Sequence, residues 1–371
     1  MPDAPLLLHV FPTFAVGGAQ LRMIALANRF GARFRHAVIA LDGVTDARAR
    51  LDPALDIRFP ELVLAKNAAL RSAMQARAAI ATLRPDVLVT HNWGSIEFAM
   101  ANWLTRRRHV HIEDGFGPEE RARQLPRRVL TRRLVLRRAT VVLPSRTLHR
   151  IATAQWRLPA RHVRYIPNGI DLARFAPRAD PAPPWPRDLP VIGTVAALRA
   201  EKNLARLIDA FARLRQARPA RLVIVGDGPE RPALAARAAS LGLGDAVLFA
   251  GPTADPPRAY RNFDVFALSS DTEQMPLSVL EAMGCALPVA ATDVGDVAAM
   301  LDDANRRFVV AKDPAALAAS LDALLADPAA ARALGAANRA RAEREFDVAT
   351  MAAAYEALFA AGTASVSGGT Q

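Results

Sequence analysis

One stretch, Asp264 to Thr292, constrains the fold more than any other. Asp264-Val-Phe-Ala-Leu268 is a short apolar run and predicts a buried strand. Ser269 to Met275 is polar and predicts a loop. Pro276 suits the first turn of a helix, where its missing N–H is not needed. Leu277 to Met283 reads as helix, with Gly284 placed to end it, and Leu287 to Ala291 is the next buried strand. A buried strand, a helix and another buried strand belong to a parallel sheet covered by helices.

The same alternation runs through the chain. Leu6–Phe11, His36–Leu41, Asp86–Thr90, His109–Ile112, Thr140–Leu143 and the residues from His162 predict strands. Gln20–Phe30, Ala68–Leu83 and a segment capped by Ser145 predict helices between them. A second series starts with strand Val191–Val195, helix Asn203–Ala217, strand Arg221–Val225, a helix to about Leu241 and strand Val247–Ala250. After Arg307–Val310 the chain reads as helical to Ala361. Pro181, Pro183, Pro184 and Pro186 punctuate the ground between the two series. The expected architecture is α/β, with two Rossmann-like doubly wound domains facing across a cleft. The expected divisions are 1–178, a proline-rich linker 179–189, a second domain 190–345, a last helix 346–361 and a disordered Gly/Ser/Thr tail 362–371.

In this frame Glu273 sits on a loop at the carboxyl end of a strand, where open α/β sheets hold ligands. The amides from Gln274 to Leu277, Pro276 excepted, lie at a helix N-terminus, which attracts phosphate. Glu281 is deeper along that helix, roughly 7 Å further at about 1.5 Å per residue. Two carboxylates with an anion site between them fit a ligand with hydroxyls at both ends and a diphosphate in the middle, as in a nucleotide sugar. Other strand exits carry polar groups too: Gly17-Gly18, His91-Asn-Trp-Gly-Ser95, Glu113-Asp114-Gly115, Leu198-Arg199-Ala-Glu-Lys202 and Gly226-Asp-Gly.

Glu273 and Glu281, with seven residues between them, followed by Ala-Met-Gly and a Leu-Pro-Val strand, resemble the donor signature of the family-4 retaining glycosyltransferases. The resemblance extends from Leu6 to about Phe346 and implies the GT-B fold, with an acceptor-side first domain, a nucleotide-sugar-binding second domain and a last helix that crosses back. It implies that Glu273 holds donor-sugar hydroxyls and Glu281 the ribose. Lys202 and Arg199 would stabilise the departing diphosphate without a metal or other cofactor. Gly17, Gly18, Gly226, Gln274, Met275, Pro276 and Leu277 would line the donor, UDP- or GDP-linked. Relatives often carry a His before the Gly of the Glu113–Gly117 turn; here Asp114 holds that place and His111 lies three residues back, so either is a candidate beside the transferred sugar. Gln274-Met-Pro276 replaces the usual Gly-Phe-Gly, and Ala197 stands at the family's usual Arg position.

Charge is uneven. Residues 1–189 hold 30 Lys and Arg against 15 Asp and Glu, and the remainder 18 against 21. The segment Arg121–Arg138 concentrates arginine, contains no acid, and from Pro126 reads as an amphipathic helix. Arg127, Arg128, Arg132 and Arg133 are therefore expected to face an anionic membrane surface or a phosphate-bearing acceptor. The single cysteine, Cys285, excludes an internal disulfide and fits a reducing, cytoplasmic setting, with a peripheral position on the inner leaflet. The expected reaction is transfer of a sugar to a saccharide, lipid-linked, in cell-envelope or exopolysaccharide synthesis. Two alternatives stand beside it: another GT-B enzyme such as a nucleotide-sugar epimerase, and a basic nucleic-acid-binding protein. Three tyrosines and no interleaved aromatic–basic patch speak against nucleic acid.

Overall fold

The computed structural model describes the whole chain except residues 1–3, 63–68, 121–122, 179, 181 and 362–371. The expected tail and the start of the basic segment at Arg121 lie outside the described residues. Two compact units form, one from Met1–Asn168 together with Met351 onward, the other from Gly169–Thr350.

The first unit is built on a parallel sheet of seven strands: β1 Leu6–Phe11, β2 Arg35–Ala40, β3 Ile57–Arg58, β4 Val87–His91, β5 Arg108–Ile112, β6 Thr140–Leu143 and β7 Val163–Tyr165. Their order is β3-β2-β1-β4-β5-β6-β7, reversing direction at β1/β4. Helices α1 Gly18–Phe30, α2 Ala69–Leu83, α3 Ile96–Thr105, α4 Pro126–Val135 and α5 Arg146–Ala154 connect them. Leu7, Leu8 and Val10 of β1 are fully buried, because parallel strands covered on both faces need apolar residues on both. Ser145 caps α5 as expected, its hydroxyl accepting from the Leu148 amide at 3.0 Å.

The second unit repeats the plan with six parallel strands: β8 Val191–Val195, β9 Arg221–Val225, β10 Val247–Gly251, β11 Val265–Leu268, β12 Val289–Thr292 and β13 Val309–Val310. Their order is β10-β9-β8-β11-β12-β13, with the reversal at β8/β11. Its helices are α6 Leu204–Ala217, α7 Arg231–Ser240, α8 Pro256–Arg261, α9 Leu277–Gly284, α10 Val297–Met300, α11 Pro314–Ala326 and α12 Pro328–Glu345. The final helix, α13 Val348–Ala360, belongs from Met351 onward to the first unit. There Phe359 sets its ring edge-on to His9, Phe30 and Phe34.

The second unit begins at Gly169, and Ile170, Leu172, Phe175 and Trp185 pack in its core, the Trp185 indole stacked on Phe263 at 5.5 Å. One local reading changes. Gly284 is the last residue of α9, but the left-handed step falls on Ala286, φ 58. Gly284 is small for a packing reason: a Cβ there would meet Phe175 at 3.1 Å.

Candidate functional site

The reversal points of both sheets lie where strand-exit loops gather, and both gather polar side chains. In the second unit the loop after β8 carries Lys202 and the loop after β11 carries Glu273. The Lys202 ammonium donates to Glu273 Oε1 at 2.6 Å, and the Ser270 hydroxyl donates to the same oxygen at 2.7 Å. The side chains are 25% and 11% exposed, so the pair is shielded but reachable.

The two loops form one block. The Asp271 amide donates to the Glu201 carbonyl at 2.8 Å, and Ser269 Oγ to the Lys202 carbonyl at 3.0 Å. Asp271 accepts from Arg206 at 2.7 Å and from Asn203 at 3.1 Å. Burial would raise its carboxyl, but the bonds from Arg206 and Asn203 outweigh that and lower it. Lys312 donates to the Asp271 carbonyl at 2.6 Å. From below, Gly295 at φ 56 approaches the donor loop: a Cβ there would lie 2.3 Å from the Glu273 carbonyl oxygen. Only glycine fits that space and that backbone angle.

The other expected donor residues divide. The Gln274 carbonyl accepts from the Asp296 amide at 2.9 Å, which fixes the entry to α9. Met275 and Pro276 are buried, with Met275 in the core cluster that also holds Val279. Leu277 starts α9 and packs partly on the same core. Glu281, one turn further, accepts from the Tyr260 hydroxyl at 2.6 Å. Burial pushes its carboxyl up to about 7, while Tyr260 and Arg174 act in the opposite sense. Arg199 is exposed and makes no side-chain bond or ion pair among the described residues. Gly226, φ 136, is explained by the backbone it touches: a Cβ would lie 1.9 Å from the Ala196 carbonyl oxygen. Among the described residues no group of three His, Cys, Asp or Glu side chains could hold a metal ion.

In the first unit Gly17 precedes α1 with an ordinary extended backbone, φ −164; a Cβ there would crowd only the flexible end of Gln20. Gly18 opens the helix. One turn later Arg22 reaches the β5 exit loop. It donates to both carboxylate oxygens of Asp114, through Nη2 at 2.8 Å, and to Asn168 Oδ1 at 2.9 Å. Burial disfavours this cation, yet Asp114 outweighs burial and raises its pKa above the ordinary arginine range. Asn92 Oδ1 accepts from the Asp114 amide at 2.7 Å. The Asp114 side chain remains 19% exposed, whereas His111 is fully enclosed, its Nδ1 at 2.8 Å from Thr90 Oγ1. Sequence reading missed Arg22, Tyr260 and Arg206, whose partners lie 92, 21 and 65 positions away, and Ser270, whose bond to Glu273 three positions on forms within an irregular loop that carries no periodic signal.

The basic segment needs a correction. α4 does form at Pro126, but Arg132 is completely buried. Its guanidinium lies against Trp93, Phe116 and Trp156, at 4.9, 5.3 and 5.0 Å from the ring centroids. It donates to Glu113 at 3.2 Å and to both oxygens of Glu120 at 3.1 and 3.0 Å. Arg128 pairs with Glu119 at 2.6 Å and lies over Trp93. The acids absent from the segment stand just before it and fold back onto it. Arg127 and Arg133 do face outward, flanking Leu130 and Leu134, which are 55% and 50% exposed. Beside them on α3, Trp103 donates through its indole N–H to the Val135 carbonyl at 3.0 Å, and Leu104 is 69% exposed. No described helix is long and apolar enough to cross a membrane.

Comparison with known proteins agrees with this architecture. Residues 16–174 match the profile described as Glycosyltransferase Family 4, and residues 177–341 match Glycosyl transferases group 1. A curated relative, D-inositol 3-phosphate glycosyltransferase of Salinispora tropica, is 32% identical over 70% of this chain and 58% of its own length. A GDP-mannose-dependent alpha-(1-6)-phosphatidylinositol monomannoside mannosyltransferase of Mycolicibacterium smegmatis is 32% identical over 49% of this chain and 52% of its own. The chain thus spans little more than half the length of these curated relatives. Among solved structures, a glycosyltransferase from Rickettsia africae superposes with a TM-score of 0.81 at 18% identity, covering 96% of this chain and 98% of that one. HepE of Anabaena, in complex with UDP and glucose, gives 0.79 at 20% identity over 96% and 99%. With two adjoining profiles leaving little but the chain ends unmatched, and the two sheets of the GT-B fold present, this chain belongs to the family-4 glycosyltransferases.

Proposed function

We propose that the protein transfers a sugar, with retention of configuration and without a metal, from a nucleotide-diphosphate sugar to a hydroxyl of a lipid-linked saccharide. The observation that carries the reading is the Lys202–Glu273 pair beside the N-terminus of α9. A cation and helix amides suit a diphosphate, and a carboxylate 2.6 Å away suits the hydroxyls of the sugar next to it. In the reaction the bond from the sugar's anomeric carbon to the phosphate oxygen breaks, and its electron pair stays with the diphosphate. The acceptor hydroxyl oxygen bonds to that carbon on the same face and passes its proton to the leaving phosphate. Lys202, Arg199 and the amides entering α9 stabilise the charge that develops. Glu281 holds the ribose. Asp114, held by Arg22 and still exposed, is the first unit's candidate beside the sugar, and the enclosed His111 supports its loop.

The names of relatives support the donor and acceptor classes: one is GDP-mannose-dependent and acts on a phosphatidylinositol mannoside, and a structural neighbour is bound to UDP-glucose. The outer face of α4, with Arg127 and Arg133 around Leu130 and Leu134, suits an anionic lipid surface.

The test is mass spectrometry of products formed from a panel of UDP- and GDP-sugars with lipid extract or soluble saccharides, followed by NMR of the new anomeric centre. A glycosylated product with the donor's configuration is expected. Nucleotide release without dependence on acceptor would favour the epimerase reading, and an inverted product would reject retention.

A further inference from the structure

The Lys202–Glu273 site occupies the carboxyl ends of β8 and β11. At the amino ends of β8, β11 and β12 the second unit has a different feature, a half-open cavity of about 630 Å³. That volume is in the range of small-molecule sites, about 300–1,000 Å³. Its inner wall is apolar: Phe263, Leu287, Leu325 and Cys285 are all buried and line it. Burial pushes the Cys285 thiol up to about 12, so this group stays neutral and adds to the apolar wall.

The rim has a definite sign. Two acids line the cavity, and both are engaged. Asp188 accepts from Arg221 at 2.9 Å, while Asp264 accepts from Arg187 at 3.0 Å and from the Val191 amide at 2.7 Å. Arg261 is also engaged, donating to the Ala176 and Arg174 carbonyls at 3.0 and 2.9 Å. Arg178 and Arg332 are exposed, line the same opening, and have no bonding partner among the described residues. An apolar pocket with two unengaged guanidinium groups at its mouth matches one ligand chemistry: an aliphatic or other apolar body ending in a carboxylate or phosphate.

We propose that this cavity binds an amphiphilic anion, its apolar body against Phe263, Leu287 and Leu325 and its head at Arg178 and Arg332. The site is separate from the donor site and stands whether or not the transferase reading holds.

The test uses dodecanoate and dodecyl phosphate as probes, with dodecyl maltoside as a neutral chain and inorganic phosphate as a head without a chain. Calorimetry on the full chain is expected to show saturable binding of one equivalent of each anion, with carboxylate and phosphate arms separating fatty-acid-like from phospholipid-like preference. Arg178→Glu with Arg332→Glu should weaken binding about tenfold or more, equivalent to about 1.4 kcal/mol. Arg178→Lys with Arg332→Lys should retain it, which separates loss of charge from loss of fold. A diazirine-bearing dodecanoate should label peptides containing Cys285–Leu287 and Leu324–Arg332. Absence of saturable binding, equal binding of the neutral chain, indifference to the charge reversal, or labelling confined to Leu130–Leu134 would each overturn the proposal.

Discussion

Lys202 and Glu273, 71 residues apart in sequence, are bonded at 2.6 Å. The cation proposed for the diphosphate and the carboxylate proposed for the sugar thus neutralise each other in the free protein. On the proposed function a donor would insert between them, and its phosphate would take over a cation that the protein has already positioned. Glu273→Gln keeps the shape and frees Lys202. Turnover should fall by about two orders of magnitude, in line with losing one pre-positioned polar contact to the reacting group. Affinity for the free nucleotide diphosphate, measured by calorimetry, should stay level or rise. Loss of nucleotide binding would reject the division of roles between Glu273 and Glu281.

Lys202→Ala should weaken donor binding and slow the chemical step together, by about 3–4 kcal/mol in kcat/KM. Among the described residues the Glu273 carboxylate would then keep the Ser270 hydroxyl as its side-chain donor. Steady-state kinetics on the variant decides the matter, and wild-type values would reduce this lysine to a surface residue.

In its proposed role at the ribose, Glu281 would give donor binding a pH dependence. Burial raises its carboxyl to about 7, so near neutrality it is part protonated and a weaker acceptor for ribose hydroxyls. The KM for donor should therefore fall as pH rises through about 7, and Glu281→Gln should flatten that profile. Tyr260→Phe removes a hydrogen bond that lowers this carboxyl, so the inflection should move upward. A donor KM independent of pH from 6 to 8 (about one unit either side of that value) would remove Glu281 from the ribose.

The first unit has an acid limit of its own. His9 lies between His36 and His91, with ring nitrogens 3.3 and 3.4 Å apart, and all three are buried. Burial lowers each, His36 to about 4, and His109 falls to about 3 through burial and His111. Their folded pKa values lie below the unfolded value of about 6.5, so unfolding takes up protons. The stability they provide is complete above about pH 6.5 and is lost as pH falls from there toward 4. Denaturant midpoints followed by hydrogen exchange in β1, β4 and β5 should fall over that window, and His9→Phe should lessen the fall. A flat midpoint between pH 7 and 5 would contradict it.

Lipid docking needs a comparison protein that leaves the buried arginine untouched. Arg127→Gln with Arg133→Gln should reduce co-sedimentation with anionic vesicles, each arginine contributing about 1 kcal/mol at low salt. Leu130→Ser with Leu134→Ser should reduce it at high salt as well, where screening leaves only apolar insertion. Equal sedimentation of wild type and variants would show α4 to be a solvated face.

The strand–helix alternation was legible because each element carries its own period and boundary residues, and the signature helix α9 begins at the predicted Leu277. Glu273 and Lys202 were legible as polar residues at strand exits. Their bond to each other was not, since pairing across 71 positions is decided by sheet order and not by local pattern. The same holds for Arg22 and Asp114, 92 positions apart. The arginine segment misled for a related reason. Helical periodicity separates an inner from an outer face, but Leu130 and Leu134 look like the inner one by hydropathy. They are exposed, and Arg132 is the residue that turns inward, because Glu113, Glu120 and three aromatic rings form a socket that satisfies a guanidinium.

That socket divides α4 by how freely its positions can drift over evolutionary time. Outward arginines serve as charges on flexible stems, and a lysine at position 127 or 133 would do nearly the same work. Position 132 requires a flat plate that lies among Trp93, Phe116 and Trp156 while forking to two carboxylates, and lysine has neither the plane nor the fork. Descendants of this sequence that exchange arginine for lysine elsewhere on the helix should keep arginine there, and any that abandon it should abandon Glu113 and Glu120 with it.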